Sequence, residues 1–180
     1  MKKCPLPILG FCAWSGTGKT TLLTKLLPLL RERGLRIGVI KHAHHTFDID
    51  YPGKDSYELR KAGATQMLVA SRTRTALISE PDDPAQDPRL FDLLDALDTQ
   101  KLDLVVVEGF KHEAYPKVEL HRPSLGHPLM CGSTPQIVAV ASDEPVALPS
   151  PVPLLDLNKP QEIAEFVLRY CNHDLQLNAS

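Results

Sequence analysis

The residues with the clearest chemical meaning in this chain are Ala13-Trp14-Ser15-Gly16-Thr17-Gly18-Lys19-Thr20, continued by Thr21. Glycines at such spacing let the backbone close around an anion, so that successive N–H groups point inward at it. The Lys after the second glycine reaches β- and γ-phosphate oxygens, and the next Thr hydroxyl completes the shell of a magnesium ion. Ser15, Gly16, Thr17, Gly18, Lys19, Thr20 and Thr21 therefore read as a nucleotide-phosphate cradle. Ala13 is the one departure, standing where the stricter pattern has Gly. The flanks supply the context this chemistry requires. Leu6 to Cys12 is short and apolar like a buried strand, and Thr21 to Leu27 begins a helical pattern. Strand, glycine loop, helix places the anion at a helix N-terminus.

Open α/β sheets bind ligands at the carboxyl ends of their strands, so other strand ends should supply the rest of the site. Glu108 closes the apolar run Leu102-Asp103-Leu104-Val105-Val106-Val107 and is the candidate acid at the magnesium or its attacking water. Gly109 follows and can offer its N–H to a γ-phosphate. Lys41 opens a polar loop to Gly53 that contains His42, His44 and His45. We read this loop as one that senses the γ-phosphate. A metal site is the other reading, but no acid or Cys at ligand spacing completes it. Asp48 and Asp50 could add a magnesium ligand or simply form an acidic loop. Asp143 follows a further apolar run, and its carboxylate could accept two hydrogen bonds, from guanine N1–H and the N2 amino group. A turn-forming Asp before Pro145 is the alternative. Trp14 cannot serve as the second lysine that one branch of P-loop ATPases carries inside this loop.

The elements that must position these groups follow from periodicity and punctuation. The first helix is expected from Gly18 to Arg33, with Leu22, Leu23, Leu26, Leu27 and Leu30 on one face and Gly34 as its left-handed stop. Pro28 should kink it. Leu35 to Ile40 reads as the second strand. Asp55-Ser56-Tyr57-Glu58 has a capping pattern, which makes Asp55 a helix cap on local grounds. Gln66 to Ala70 and Thr75 to Ser79 read as neighbouring strands, and a helix should start at Asp87-Pro88. Lys117 to His121 alternates, which suggests a more exposed strand, and His121 to Pro135 reads as irregular. Ile137 to Ala141 and Val152 to Leu155 complete the strands, and a final helix starts near Asn158. Strands alternating with helices predict a P-loop NTPase-like three-layer α/β sandwich, its mainly parallel central sheet flanked by helices. A single nucleotide-binding domain over residues 1–172 and a frayed tail over 173–180 are expected.

Bulk properties narrow the function classes. With 180 residues and a formal net charge of −2, the chain lacks the basic footprint of a nucleic-acid binder. No apolar run approaches the roughly 18 residues of a membrane span. Its four cysteines are scattered without a C-x-x-C pair, as expected of reduced thiols in the cytoplasm.

At Ala13 to Leu23, Ile40-Lys41-His42 and Gly53-Lys54-Asp55-Ser56-Tyr57-Glu58-Leu59-Arg60-Lys61-Ala62-Gly63-Ala64, the chain closely resembles the MobB family. Leu104 to His112 and Val138 to Asp143 extend the match. The phosphate loop alone is generic; the block around Lys54 to Gly63 and the run Glu108-Gly109-Phe110-Lys111-His112 are far more specific. The resemblance implies a homodimeric GTP-binding protein of weak GTPase activity. It would assist the guanylyltransferase that joins GMP to molybdopterin in molybdenum cofactor biosynthesis, with molybdopterin as a further candidate ligand. It carries GTP phosphates and magnesium to Gly16, Gly18, Lys19 and Thr20. It also places Lys41, Asp55 and Glu108 in motifs near the site, with Thr20, Glu108 and Asp55 as the magnesium set. Weak hydrolysis agrees with the residues themselves, since no Gln is placed to orient water and no arginine finger is evident. Two other readings stay open. One is a small-molecule kinase using ATP, with Arg72 and Arg74 on a lid; the other is a nickel-delivery GTPase using the histidines. Thr75 to Ser79 and Lys117 to His121 are the candidate dimer segments.

Overall fold

The computed structural model describes residues 6–43, 47–81 and 86–178, with the backbone alone from residue 173 onward. The chain forms two compact units, residues 1–42 with 89–180 and residues 43–88. The larger unit carries a six-stranded sheet in the order β2-β5-β1-β6-β7-β8. Its strands are β1 (Ile8–Cys12), β2 (Ile37–Lys41), β5 (Leu104–Glu108), β6 (Lys117–His121), β7 (Ile137–Ser142) and β8 (Leu154–Asp156). Every pairing within it is parallel, which confirms the fold class expected from the alternation of elements.

Apolar alternation explains how this sheet is covered. Leu9 and Phe11 of β1, with Leu104 and Val106 of β5, face α1 (Lys19–Glu32) and α4 (Pro160–Asn178). Val105 and Val107 face the other way, onto the short α3 (Leu90–Leu94). A strand covered on both faces must be apolar throughout, and Leu104 to Val107 are all fully buried. Helix α1 runs through Pro28 and ends before Gly34, whose φ of 90° provides the expected left-handed stop. Helix α3 begins later than Asp87-Pro88, at Leu90, whose N–H donates to Glu113 Oε1 at 2.7 Å. Helix α4 continues to Asn178, through part of the segment expected to fray. Backbone bonding propagates a helix across a polar stretch once its N-terminal turns are docked.

Strand β6 corrects an expectation. Its alternation suggests an exposed strand, but it lies inside the sheet between β1 and β7 and all five of its residues are buried. It is therefore no candidate for a dimer edge. Val118 and Leu120 join the α1/α4 core. Lys117 and Glu119 are buried as well, because local partners satisfy them. Lys117 Nζ donates to the Tyr115 carbonyl at 3.2 Å and lies over the Tyr115 ring, 3.8 Å from its centroid. The Glu119 carboxylate accepts the N–H groups of Met130 and Cys131, each at 2.8 Å. Burial still pushes Glu119 above the ordinary carboxylate range and Lys117 below the ordinary ammonium range.

The smaller unit holds α2 (Asp55–Lys61) and a separate antiparallel hairpin of β3 (Gln66–Ala70) and β4 (Thr75–Ser79). These strands are neighbours as expected, paired from Gln66 with Ser79 to Ala70 with Thr75. Arg60 is the centre of the unit. Its side chain is 4% exposed and pairs with Asp48, Asp50 and Glu80. Both acids entertained as magnesium ligands, Asp48 and Asp50, are thus engaged by a guanidinium, which occupies carboxylate oxygens a cation would need.

Replacing Glu119 by Ala strands two buried N–H groups. Urea denaturation of Glu119→Ala should show a loss of about 2–4 kcal/mol. A change smaller than the error of the measurement would mean that the carboxylate does not anchor the Met130–Cys131 segment.

Candidate functional site

The phosphate loop leaves the sheet from its interior. Strand β1 pairs with β5 on one side and β6 on the other, so residues 13–18 emerge between the ends of both neighbours. Gly16 and Gly18 have φ of 79° and 99°, a region that strains any other residue. Between them Thr17 is buried, its hydroxyl donating to the Trp14 carbonyl at 2.8 Å. Lys19 Nζ reaches back across the loop to the Ala13 carbonyl at 3.5 Å. The first intrahelical bond of α1 runs from Leu22 N–H to the Gly18 carbonyl at 2.9 Å. The N–H groups of the preceding first turn, Lys19 to Thr21, belong to the set that no helix can satisfy internally. No acidic residue lies in that turn, so the positive end of the helix dipole is not cancelled.

Glu108, at the end of β5, meets the loop. The register sets it opposite Phe11 of β1 and Lys41 of β2. The Thr20 hydroxyl donates to Glu108 Oε1 at 3.4 Å, and Lys41 Nζ stands 3.5 Å from Oε2. The Glu108 side chain is only 16% exposed. The structure thus brings together Lys19, Thr20, Glu108 and Lys41, four residues from three strand ends. A hydroxyl and a carboxylate oxygen this close form the hard-oxygen donor set that suits magnesium.

After Glu108 the chain turns sharply. Gly109 has φ of 100°, and a Cβ there would sit 2.6 Å from the His42 Cβ. Phe110 takes a left-handed φ of 48°, rare for a bulky residue, and stacks on His42 with centroids 4.6 Å apart. The His42 N–H donates to the Glu108 carbonyl at 2.8 Å, and Tyr115 hydroxyl to the Gly109 carbonyl at 2.6 Å. His42 is therefore part of the wall behind Glu108. His44 and His45 lie outside the described residues. Among the described residues no group of three or more His, Cys, Asp or Glu is placed to hold a metal by itself.

Asp143 sits one residue beyond β7 and is less available than its sequence suggests. Its Oδ2 pairs with Arg122 Nη1, and its Oδ1 is buried with no hydrogen-bond partner. One oxygen, not two, remains for a base. Asp55 is the exposed first residue of α2, in the other unit. Lys54, not Asp55, occupies the N-cap position there and makes no side-chain cap, while Glu58 Oε1 accepts the Gly53 N–H at 3.1 Å.

The contacts of two residues, Arg122 and Trp14, escape sequence reasoning. Arg122 Nε donates to the Thr17 carbonyl at 2.9 Å, and the only signal for it was an Arg directly after a strand. Trp14 is 38% exposed, stacks on His127 at 5.1 Å and donates its indole N–H to the Pro128 carbonyl at 3.0 Å. The irregular segment after β6 thereby rests against the phosphate loop. Cys12, just before the loop, has its thiol pushed up to about 12, chiefly by burial and then by Glu119, so it remains protonated.

The sheet order, the glycine loop and the acid beside its Thr define a P-loop NTPase-like α/β protein. Within that class the match is specific. Residues 8–143 match the MobB family, molybdopterin guanine dinucleotide synthesis protein B, and the chain belongs to it. The molybdopterin-guanine dinucleotide biosynthesis adapter protein of Escherichia coli (strain K12) is 52% identical over 169 residues, covering 93% of this chain and 95% of that protein. The protein of the same description from Haemophilus influenzae is 40% identical over 172 residues, covering 93% and 91%. A crystal structure of molybdopterin-guanine biosynthesis protein B superposes with a TM-score of 0.66 at 28% identity, covering 90% of this chain and 98% of that one.

The turn behind Glu108 is open to a direct test. Gly109→Ala adds a methyl against His42 and demands a φ that Ala resists. We expect a loss of about 1–3 kcal/mol in chemical denaturation. Wild-type stability in that variant would show that the turn relaxes freely.

Proposed function

We propose that this protein is a GTP-binding adapter of molybdopterin-guanine dinucleotide biosynthesis, with weak GTPase activity. Its family is that of adapters in this biosynthesis, and the coverage of the relatives is nearly complete. The observation that carries the nucleotide reading is the meeting of Thr20, Glu108 and Lys41 beside a loop whose glycines hold left-handed φ. Ser15 to Thr21 would cradle the phosphates, and Lys19 would exchange its weak bond to the Ala13 carbonyl for phosphate oxygens. Thr20 and Glu108 would hold magnesium, which when bound neutralises phosphate charge. Asp55 joins that set on the resemblance alone. Gly109 would offer its N–H toward the γ-phosphate, and Asp143 an oxygen to guanine.

Slow hydrolysis follows from the groups present. Attack of water on the γ-phosphorus breaks its bond to the β–γ bridging oxygen, and a base or orienting group must manage the water's protons. On this reading Glu108 is committed to magnesium beside Thr20, and no Gln lies in the site motifs. Holding GTP rather than consuming it suits an adapter. Further parts of the reading rest on the family: a homodimer in the cytoplasm, working with the guanylyltransferase that joins GMP to molybdopterin. Among the described residues no helix is long and apolar enough to cross a membrane.

Calorimetry with GTP and ATP, in magnesium, tests the core of this reading. The wild type should prefer GTP, and Lys19→Ala should bind it at least about 100-fold more weakly, the loss of two charge-assisted hydrogen bonds. Tighter binding of ATP would overturn the guanine assignment, and unchanged affinity in Lys19→Ala would overturn the phosphate assignment. Co-purification of the guanylyltransferase, with and without GTP, tests the adapter role.

A further inference from the structure

Three strand ends converge on Asp143, and one side chain joins them to the phosphate loop. Arg122 follows β6 directly. Its Nε holds the Thr17 carbonyl, inside the glycine loop, while its Nη1 holds Asp143 Oδ2 at the end of β7. Its Nη2 lies 4.0 Å from where a Cβ on Gly18 would stand. From the other side Asn158, beyond β8, donates its side-chain N–H to the Asp143 backbone carbonyl at 3.3 Å. Asp143 is thus clamped at its side chain and at its backbone. What remains is Oδ1, a buried carboxylate oxygen with no partner among the described residues. Such an atom carries a desolvation cost that a donor from a ligand would relieve.

We propose that Arg122 is the positioning residue for base selection: it aims Asp143 Oδ1 at a purine N–H donor and locks that acceptor to the phosphate loop. The inference rests on the guanine reading above and makes it more specific. With Oδ2 committed to Arg122, Asp143 accepts one N–H of the base instead of two. Guanine N1–H supplies such a donor, whereas adenine carries an unprotonated N1. The planar fork of Arg can hold the Thr17 carbonyl and the carboxylate together, which a Lys cannot do in the same geometry. Acting through Asp143, Arg122 should set the ratio of GTP to ATP affinity, and not only the overall affinity.

The test measures dissociation constants for GTP and ATP, in magnesium, on wild type, Arg122→Ala, Arg122→Lys, Asp143→Ala and the double alanine variant. Trp14, the single tryptophan of the chain, sits in the loop and supplies a fluorescence signal. Arg122→Ala should lower the GTP:ATP preference by roughly five- to tenfold, the worth of one hydrogen bond. Arg122→Lys should fall between it and wild type. The double variant should lose no more preference than Asp143→Ala alone, because both changes disable one acceptor. If Arg122→Ala does not fold, Arg122→Lys decides on the same ratio. A wild-type ratio in the folded Arg122 variants overturns the proposal. So does a loss in the double variant equal to the sum of the single losses. A wild type without preference for GTP overturns the guanine reading itself.

Discussion

Parallel pairing of β1 with β5 on one side and β6 on the other governs the chemistry of the larger unit. Parallel strands end at the same edge of a sheet, so whatever follows each of them is delivered to one place. After β1 comes the glycine loop, Glu108 after β5 reaches the Thr20 that follows it, and Arg122 after β6 reaches its Thr17 carbonyl. Either contact would be lost if the loop left from an edge strand. The apolar burial of Leu9, Phe11 and Leu104 to Val107 is what holds this order, because two covered faces leave those strands no alternative register.

A protein interior tolerates charge only where partners replace water. Glu119, Lys117 and Arg60 are all buried, and each is met by hydrogen-bonding groups that replace water. Asp143 Oδ1 is the exception among the described residues. A buried acceptor without a donor stands out against that background, whereas it would be unremarkable on an exposed loop. The Lys41–Glu108–Thr20 set is different again. Its contacts of 3.4 and 3.5 Å are long for charge-assisted bonds. Groups held this loosely can be drawn onto a cation and phosphates at little cost, which on the GTP reading is what the site requires.

How much of this was legible in the sequence depended on the range of the interaction. The glycine loop, the apolar run into Glu108, the stop at Gly34 and the β3–β4 hairpin are local patterns, and all were readable. The fold class followed from their alternation. Lys117 to His121 misled because alternation ordinarily signals one face in water. Here the polar face is covered by the chain around Met130 and Cys131, whose N–H groups satisfy Glu119, and no local pattern encodes that cover. Arg122 was missed for a related reason, since its partner Thr17 lies 105 residues away. The pairing of Asp143 with Arg122 was not legible either, so the two free carboxylate oxygens read into the sequence are reduced to one.

The block from Lys54 to Gly63, which made the family resemblance specific, turns out to hold a structural centre. Arg60 gathers Asp48, Asp50 and Glu80, and the charge of all three acids bears on one guanidinium. Bonds to Asp50 first, then to Glu80 and Asp48, raise the proton affinity of Arg60 and keep it charged. Asp50 in turn is held below the ordinary carboxylate range, chiefly by its bond to Arg60. A unit of 46 residues with a two-stranded sheet has little apolar core to spend, since a lone hairpin is at best marginally stable in water. Electrostatic cross-linking of its loop, helix and hairpin through one buried Arg does part of the work that a core would otherwise do. This explains why acids that look like metal ligands in the sequence serve instead to hold the unit together.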